Sequence, residues 1–228
     1  MTDAGRTRVL LVDDHQMFAQ VLHRVFKDTP DLEVVGTAGT VADAVAMARR
    51  ARPDVVLMDY QLPDGVGTEA AAAIRQEHPE TKVVILTGYA DDAVLVAAIE
   101  VGCSGFISKA NLVEEALSAV RAAAAGEFLI SPSMLIRLLP KLRQERKTVS
   151  FALTSRELEV LRQLVGGANN AVIAESLFLS VNTVRKHVQS ILNKLDAHSK
   201  LEAAAIAVRQ GLVVMGEHGP QLAGRRPA

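Results

Sequence analysis

The stretch Asp54-Val55-Val56-Leu57-Met58-Asp59-Tyr60-Gln61-Leu62-Pro63 decides the fold. Four consecutive apolar residues, with no alternation of faces, read as a strand buried on both sides. Such a strand stops at Asp59, because an ionised carboxylate is costly in a core without a partner. Asp59 therefore sits at the carboxyl end of a central strand, where open α/β sheets gather their ligands. The Leu-Pro-Asp-Gly-Val-Gly run that follows is loop chemistry.

Outward from this strand the pattern repeats. Arg8 to Val12 is a short apolar run ending at Asp13-Asp14. A helix then puts Phe18, Val21, Leu22, Val25 and Phe26 on one face. Leu32 to Val35 is a further strand, and Thr40 with Asp43 opens a helix in a near capping box. Gly67 to Glu77 is an Ala-rich helix stopped by Pro79. Val83 to Thr87 is a fourth strand, Asp91 to Val101 a helix closed by Gly102, and Gly105 to Lys109 a fifth strand. Asn111 caps a last helix running to about Gly126. Alternating strands and helices imply an α/β fold, a five-stranded doubly wound parallel sheet with right-handed crossovers.

Asp13, Asp14, Asp59, Thr87 and Lys109 all fall at strand ends, so the parallel sheet gathers them along one edge. Any one of them alone is ordinary turn chemistry; five at four strand ends is a site. Three carboxylates repel one another unless a cation lies between them, and a hard ion with oxygen ligands, Mg²⁺, suits them best. A carboxylate in such a place can accept a phosphoryl group as an acyl phosphate, with Lys109 and Thr87 holding its oxygens.

These motifs resemble the receiver domain of bacterial response regulators over residues 7–127. The resemblance implies that Asp59 is the phosphoacceptor. Asp14, Asp59 and the backbone carbonyl of Gln61 would hold Mg²⁺, with Asp13 assisting through water. Lys109 would pair with the phosphoryl group, and Thr87 and Phe106 would form the switch pair. Many receivers carry Pro after the lysine; here Ala110 stands there and a trans bond is expected.

At 228 residues the chain has room for a second domain. Residues 1–130 carry 11 Lys and Arg against 19 Asp and Glu, whereas residues 131–228 carry 14 against 7. The acidic and basic portions suggest different partners. Residues 128–151 read as a linker with a short helix ending at Pro140 and a basic run beyond it. Thr154-Ser-Arg-Glu157 is a capping box opening the first of four short helices, and the second and third make a helix-turn-helix. On the third, Val184, Val188, Ile191, Leu192 and Leu195 form the apolar face. Asn182, Arg185, Lys186, Gln189 and Asn193 lie opposite, with no acid among them, which suits phosphates and base edges.

Leu153 to Leu161, Ile173 to Leu177 and Ser180 to Val188 resemble the LuxR-type helix-turn-helix, here placed at residues 152–214. The resemblance implies base contacts from Arg185, Lys186 and Gln189 and phosphate contacts from Asn182, Thr183 and Lys194. Ala171-Val172 replaces the usual Lys-Glu, and a phosphate contact is expected to be missing there. Ala203, Ala204, Ala207 and Val208 of the fourth helix are candidates for contact with a twin, or for core packing. Residues 215–228 are expected to be disordered.

Cys103 is the only cysteine, no apolar run reaches membrane-spanning length, and the polar N-terminus leads straight into a strand. A cytoplasmic location follows, with no membrane partner. The expected protein is a homodimeric regulator of the NarL/FixJ type and not an enzyme. A sensor histidine kinase phosphorylates it, and phosphorylation controls dimerisation and binding to double-stranded promoter DNA. The competing readings are a constitutive DNA-binding regulator with the receiver as a dimerisation module, and an aspartyl-nucleophile phosphohydrolase. The latter usually has an acid two residues after its nucleophile, where this chain has Gln61.

Overall fold

The computed structural model describes residues 5–88, 92–109, 112–127, 152–216 and 219–222. The chain divides into two compact units, Met1–Leu129 and Ile130–Ala228. The linker helix, its basic run, the Asn111 cap and the Ala110 bond all lie outside the described residues.

The first unit alternates β1 (Thr7–Val12), α1 (Gln16–Lys27), β2 (Leu32–Ala38), α2 (Val41–Ala51) and β3 (Val55–Asp59). After β3 the loop makes two short strands, β4 (Gln61–Leu62) and β5 (Gly65–Val66). Then come α3 (Gly67–Glu77), β6 (Lys82–Thr87), α4 (Asp92–Glu100), β7 (Gly105–Ser108) and α5 (Leu112–Ala124). The large sheet has the order β2-β1-β3-β6-β7 with every pairing parallel, while β4 and β5 form an antiparallel ribbon. As expected, β3 is the central strand, and Val55, Val56, Leu57 and Met58 are wholly buried. Each such side chain contributes about 1.5–3 kcal/mol relative to exposure.

Leu22 and Phe26 of α1 and Ala116, Ala119, Val120 and Ala123 of α5 pack into the core with β1, β3 and β6. Val21, expected on the same face, is instead 49% exposed, and Phe18 and Val25 are half-buried. The apolar stripe of α1 is wider than the surface it covers. Thr40 caps α2 by accepting the Asp43 amide at 3.0 Å, but the box is not closed. The shorter Asp43 side chain takes the Thr40 hydroxyl at 2.8 Å. Asp64 completes the helix end, accepting the amides of Val41 and Ala42 at 2.7 and 3.1 Å, and thereby ties the loop after β3 to α2.

One glycine is indispensable to this arrangement. A Cβ on Gly67 would lie 2.0 Å from the carbonyl oxygen of Asp59 and 2.8 Å from Met58 Cγ. Helix α3 can start this close to the end of β3 only because that side chain is missing. Cys103, just before β7, is fully buried, and burial pushes its thiol up to about 12.

The second unit contains α6 (Ser155–Val165), α7 (Asn170–Ser176), α8 (Val181–Leu195) and α9 (Lys200–Arg209). Thr154 and Glu157 form the complete capping box, and Asn169, Ser180 and Ser199 cap the other three. Between α7 and α8 the turn passes through Phe178, which has φ +53° and is 96% exposed.

One expectation is corrected here. The chain beyond 214 does not simply trail off: β8 (Val213–Gly216) and β9 (Gly219–Leu222) pair antiparallel. The β-branched Val213-Val214 start and the glycines at 216 and 219 favour a hairpin over the coil that the Gly, Pro and Arg content implied. In α9, Ala203, Ala204, Ala207 and Val208 are at most 3% exposed, which favours core packing of the two readings offered for them.

Candidate functional site

The ends of β1, β3 and β7 bring the predicted acidic and basic groups together. The side chains of Asp13 and Asp59 are 2% and 4% exposed, and that of Asp14 is 35% exposed. Lys109, directly after β7, places its Nζ 2.8 Å from Asp59 Oδ2 and 2.7 Å from Asp13 Oδ2. Its ammonium also lies 5.1 Å from the centroid of the Phe18 ring, which shields it from solvent. Burial works to lower the Lys109 pKa, but its pairing with the carboxylates of Asp13 and Asp59 outweighs it and the net shift is upward. Burial pushes the Asp59 carboxyl up; the Lys109 hydrogen bond opposes this, the Asp13 charge adds to it, and the amide of Gln61 opposes it. The net result is a carboxylate held above its ordinary range.

Thr87 ends β6 beside this group: Asp59 pairs with Leu86 in the register, so Thr87 lies one residue beyond it on the neighbouring strand. Thr87 in turn pairs with Ser108, the residue before Lys109. Phe106 faces Ile85 in the same ladder and is 6% exposed, so its ring is packed inward. Gln61 opens β4, two residues past Asp59.

The donor set fits a hard divalent cation. Asp13, Asp14, His15 and Asp59 offer ligand atoms that all lie within 4.8 Å of one another. Asp13 Oδ2 is buried and has its ion pair with Lys109 but no aligned hydrogen bond. Carboxylate oxygens of this kind suit Mg²⁺. His15 was not singled out from the sequence, although it directly follows the two aspartates. Its backbone amide donates to Asp13 Oδ1 at 2.8 Å, and its Nδ1 lies 2.8 Å from Asp14 Oδ1.

In the second unit α8 divides as its periodicity predicts. Val184, Val188, Ile191 and Leu195 are buried, Leu192 is half-buried, and Asn182, Arg185, Lys186, Gln189 and Asn193 are exposed. Gln189 donates to Asn193 Oδ1 at 3.1 Å, and the Thr183 hydroxyl lies 2.8 Å from the Ser180 capping oxygen. His187 is half-buried.

Lys194 is the exception. Its Nζ lies 2.9 and 2.7 Å from the two carboxylate oxygens of Glu157, which is 3% exposed. Ser190 donates to the same carboxylate at 2.7 Å, and the Thr154 amide and hydroxyl do so at 2.6 and 2.9 Å. Burial alone would raise the Glu157 pKa, but Lys194, Ser190 and Thr154 bring it down to about 2. Lys194 thus neutralises a buried acid, a structural task beside the phosphate contact expected of it. Nothing local in the sequence announces this, because its partner is 37 residues away.

Comparison with known proteins identifies the family of each unit. Residues 9–121 match the response regulator receiver domain, and residues 152–207 match the bacterial regulatory proteins of the luxR family. YxjL of Bacillus subtilis (strain 168), described as an uncharacterized transcriptional regulatory protein, is 38% identical over 213 residues, covering 91% of this chain and 98% of its own. The transcriptional regulatory protein LiaR of the same organism is 36% identical over 208 residues, covering 90% and 99%. Among solved structures, a LuxR-family two-component response regulator from Aurantimonas sp. SI85-9A1 is 30% identical, with a TM-score of 0.55 over 60% of this chain and 98% of that one. The receiver domain of NarL from Mycobacterium tuberculosis is 31% identical, with a TM-score of 0.52 over 54% and 99%. Among the described residues no helix is long and apolar enough to cross a membrane.

Proposed function

Because the chain belongs to the response regulators that join a receiver to a LuxR-type DNA-binding domain, we propose that phosphorylation of Asp59 by a sensor histidine kinase controls its dimerisation and its binding to promoter DNA. The observation that carries this reading is the buried Asp59 carboxylate between Asp13 and Lys109 at the end of the central strand. A carboxylate oxygen of Asp59 attacks the phosphorus, the P–N bond to the kinase histidine breaks, and the imidazole leaves with a proton. Lys109 then moves from neutralising two carboxylates to pairing with a phosphoryl oxygen, and the Thr87 hydroxyl binds another. Asp14, Asp59 and the Gln61 carbonyl would hold Mg²⁺, with Asp13 reached through water; the ion neutralises phosphoryl charge when bound. The new dianion at Asp59 draws in Thr87, and the packing of Phe106 follows that shift.

In the DNA-binding unit Arg185, Lys186 and Gln189 read bases, and Asn182, Thr183 and Lys194 hold phosphates. The domain limits proposed are 7–127 for the receiver, 128–151 for the linker and 152–214 for the helix-turn-helix. The protein acts as a homodimeric cytoplasmic regulator, not as an enzyme turning over a substrate. The test is selection of bound sites from random duplexes, with Mg²⁺ and a small phosphodonor, for wild type and Asp59→Ala. Binding and dimerisation that rise with the donor only in wild type support the proposal. Equal binding by both proteins, with and without donor, overturns it in favour of constitutive binding.

A further inference from the structure

Gln189 and Asn193 stand one helical turn apart in the exposed polar stripe of α8. Side chains of a helix lean towards its N-terminus, so Asn193 reaches back over the turn towards Gln189. The two are joined: Gln189 Nε2 donates to Asn193 Oδ1 at 3.1 Å. A carboxamide nitrogen carries two hydrogens, and this bond takes only one of them. Gln189 is left with one N–H and its carbonyl oxygen to present beyond the helix. Its side-chain torsions, free in an unpartnered glutamine, are restrained by the neighbour.

One donor beside one acceptor is the complement of a single base edge in the major groove. Adenine offers N7 as an acceptor and its N6 amino group as a donor. Guanine offers two acceptors, N7 and O6, and would set one of them against the Gln189 carbonyl. Cytosine offers a donor alone and thymine an acceptor beside a methyl group, so each leaves half of the carboxamide unpaired. We infer that Gln189 selects adenine, because its hydrogen bond to Asn193 fixes which way round its carboxamide is presented, and that Asn193 is therefore a positioning residue for base recognition. The inference rests on the seating of α8 against base edges proposed above. As a plain surface pair, the same hydrogen bond would add a little helix stability and leave base choice untouched.

The experiment uses the full chain with Mg²⁺ and a small phosphodonor. Bound sites are selected from random duplexes for wild type, Arg185→Ala, Gln189→Ala, Asn193→Ala and Asn193→Asp. The base pair read by Gln189 is the one whose preference Gln189→Ala erases, and wild type should enrich adenine there about tenfold. Asn193→Ala should cut that enrichment by about threefold and leave the other positions alone. Its salt dependence should match wild type, since no phosphate contact is lost. Asn193→Asp keeps an acceptor for Gln189 Nε2 and should retain the adenine preference, at lower affinity because its charge repels phosphates. Guanine at that position overturns the inference, because it requires Gln189 to present two donors. So does an Asn193→Ala protein that keeps the wild-type profile, or that weakens on all sites alike. Sites that change in Arg185→Ala but not in Gln189→Ala overturn it while leaving α8 as the reading helix. Wild type that enriches no site overturns the seating of α8 and this inference together.

Discussion

Gly67 and Phe178 are opposite cases of a single residue setting the backbone. Gly67→Ala would drive a methyl to 2.0 Å from the Asp59 carbonyl, and no flexible side chain can yield there. We expect a loss of about 1–3 kcal/mol in the first unit and slower acceptance of phosphoryl by the displaced Asp59, measured by thermal unfolding and by labelling with a phosphodonor. Phe178 has a left-handed backbone, which costs a side-chain-bearing residue about 1–2 kcal/mol, and its ring is 96% exposed. Phe178→Gly should therefore raise the stability of the second unit by about 1 kcal/mol, read from its urea midpoint. Neither feature could be seen in the sequence. The glycine after Val66 reads as loop chemistry, and the phenylalanine as an ordinary apolar turn residue, because both effects depend on backbone geometry.

At the scale of elements, the helix starts were legible because capping is local. Thr154, Ser180 and Ser199 each accept an amide three residues on, as their spacing implies. The second task of Glu157, holding α6 to α8 through Ser190 and Lys194, was not legible because it joins segments distant in the chain. Glu157→Ala should destabilise the second unit by about 1–3 kcal/mol, since it removes the capping-box carboxylate and leaves Ser190 and Lys194 without their shared partner. The pH dependence has a definite sign. With the folded-state pKa of Glu157 at about 2 and the ordinary value at 4.5, its contribution is complete above about 4.5 and fades as pH falls towards 2. The gap in urea stability between wild type and Glu157→Gln should therefore be widest near neutrality and close in acid. A constant gap would mean that packing, and not charge, holds the two helices together.

For the molecule as a whole, the strand-end argument recovered the parallel sheet and its pocket because five polar residues at strand ends obey one topology. It missed His15, which lies past a strand end in the first turn of the loop, and the hairpin after α9, where Val213-Val214 outweighs the surrounding composition. The pocket also carries a cost that the fold absorbs: Asp59 is raised by burial and by Asp13, so its charge opposes folding at neutral pH. Asp59→Asn should raise the unfolding midpoint of the first unit in calorimetry, while abolishing phosphoryl acceptance. A lowered midpoint would show that the Lys109 ion pair outweighs the desolvation. The sealed Cys103 has a practical corollary. With its single native thiol wholly buried and held at about 12, the folded chain presents a blank background to maleimides. A cysteine engineered at an exposed position of α8 would be the sole attachment point for a fluorophore, so the helix could be tracked optically on DNA without first deleting a native residue.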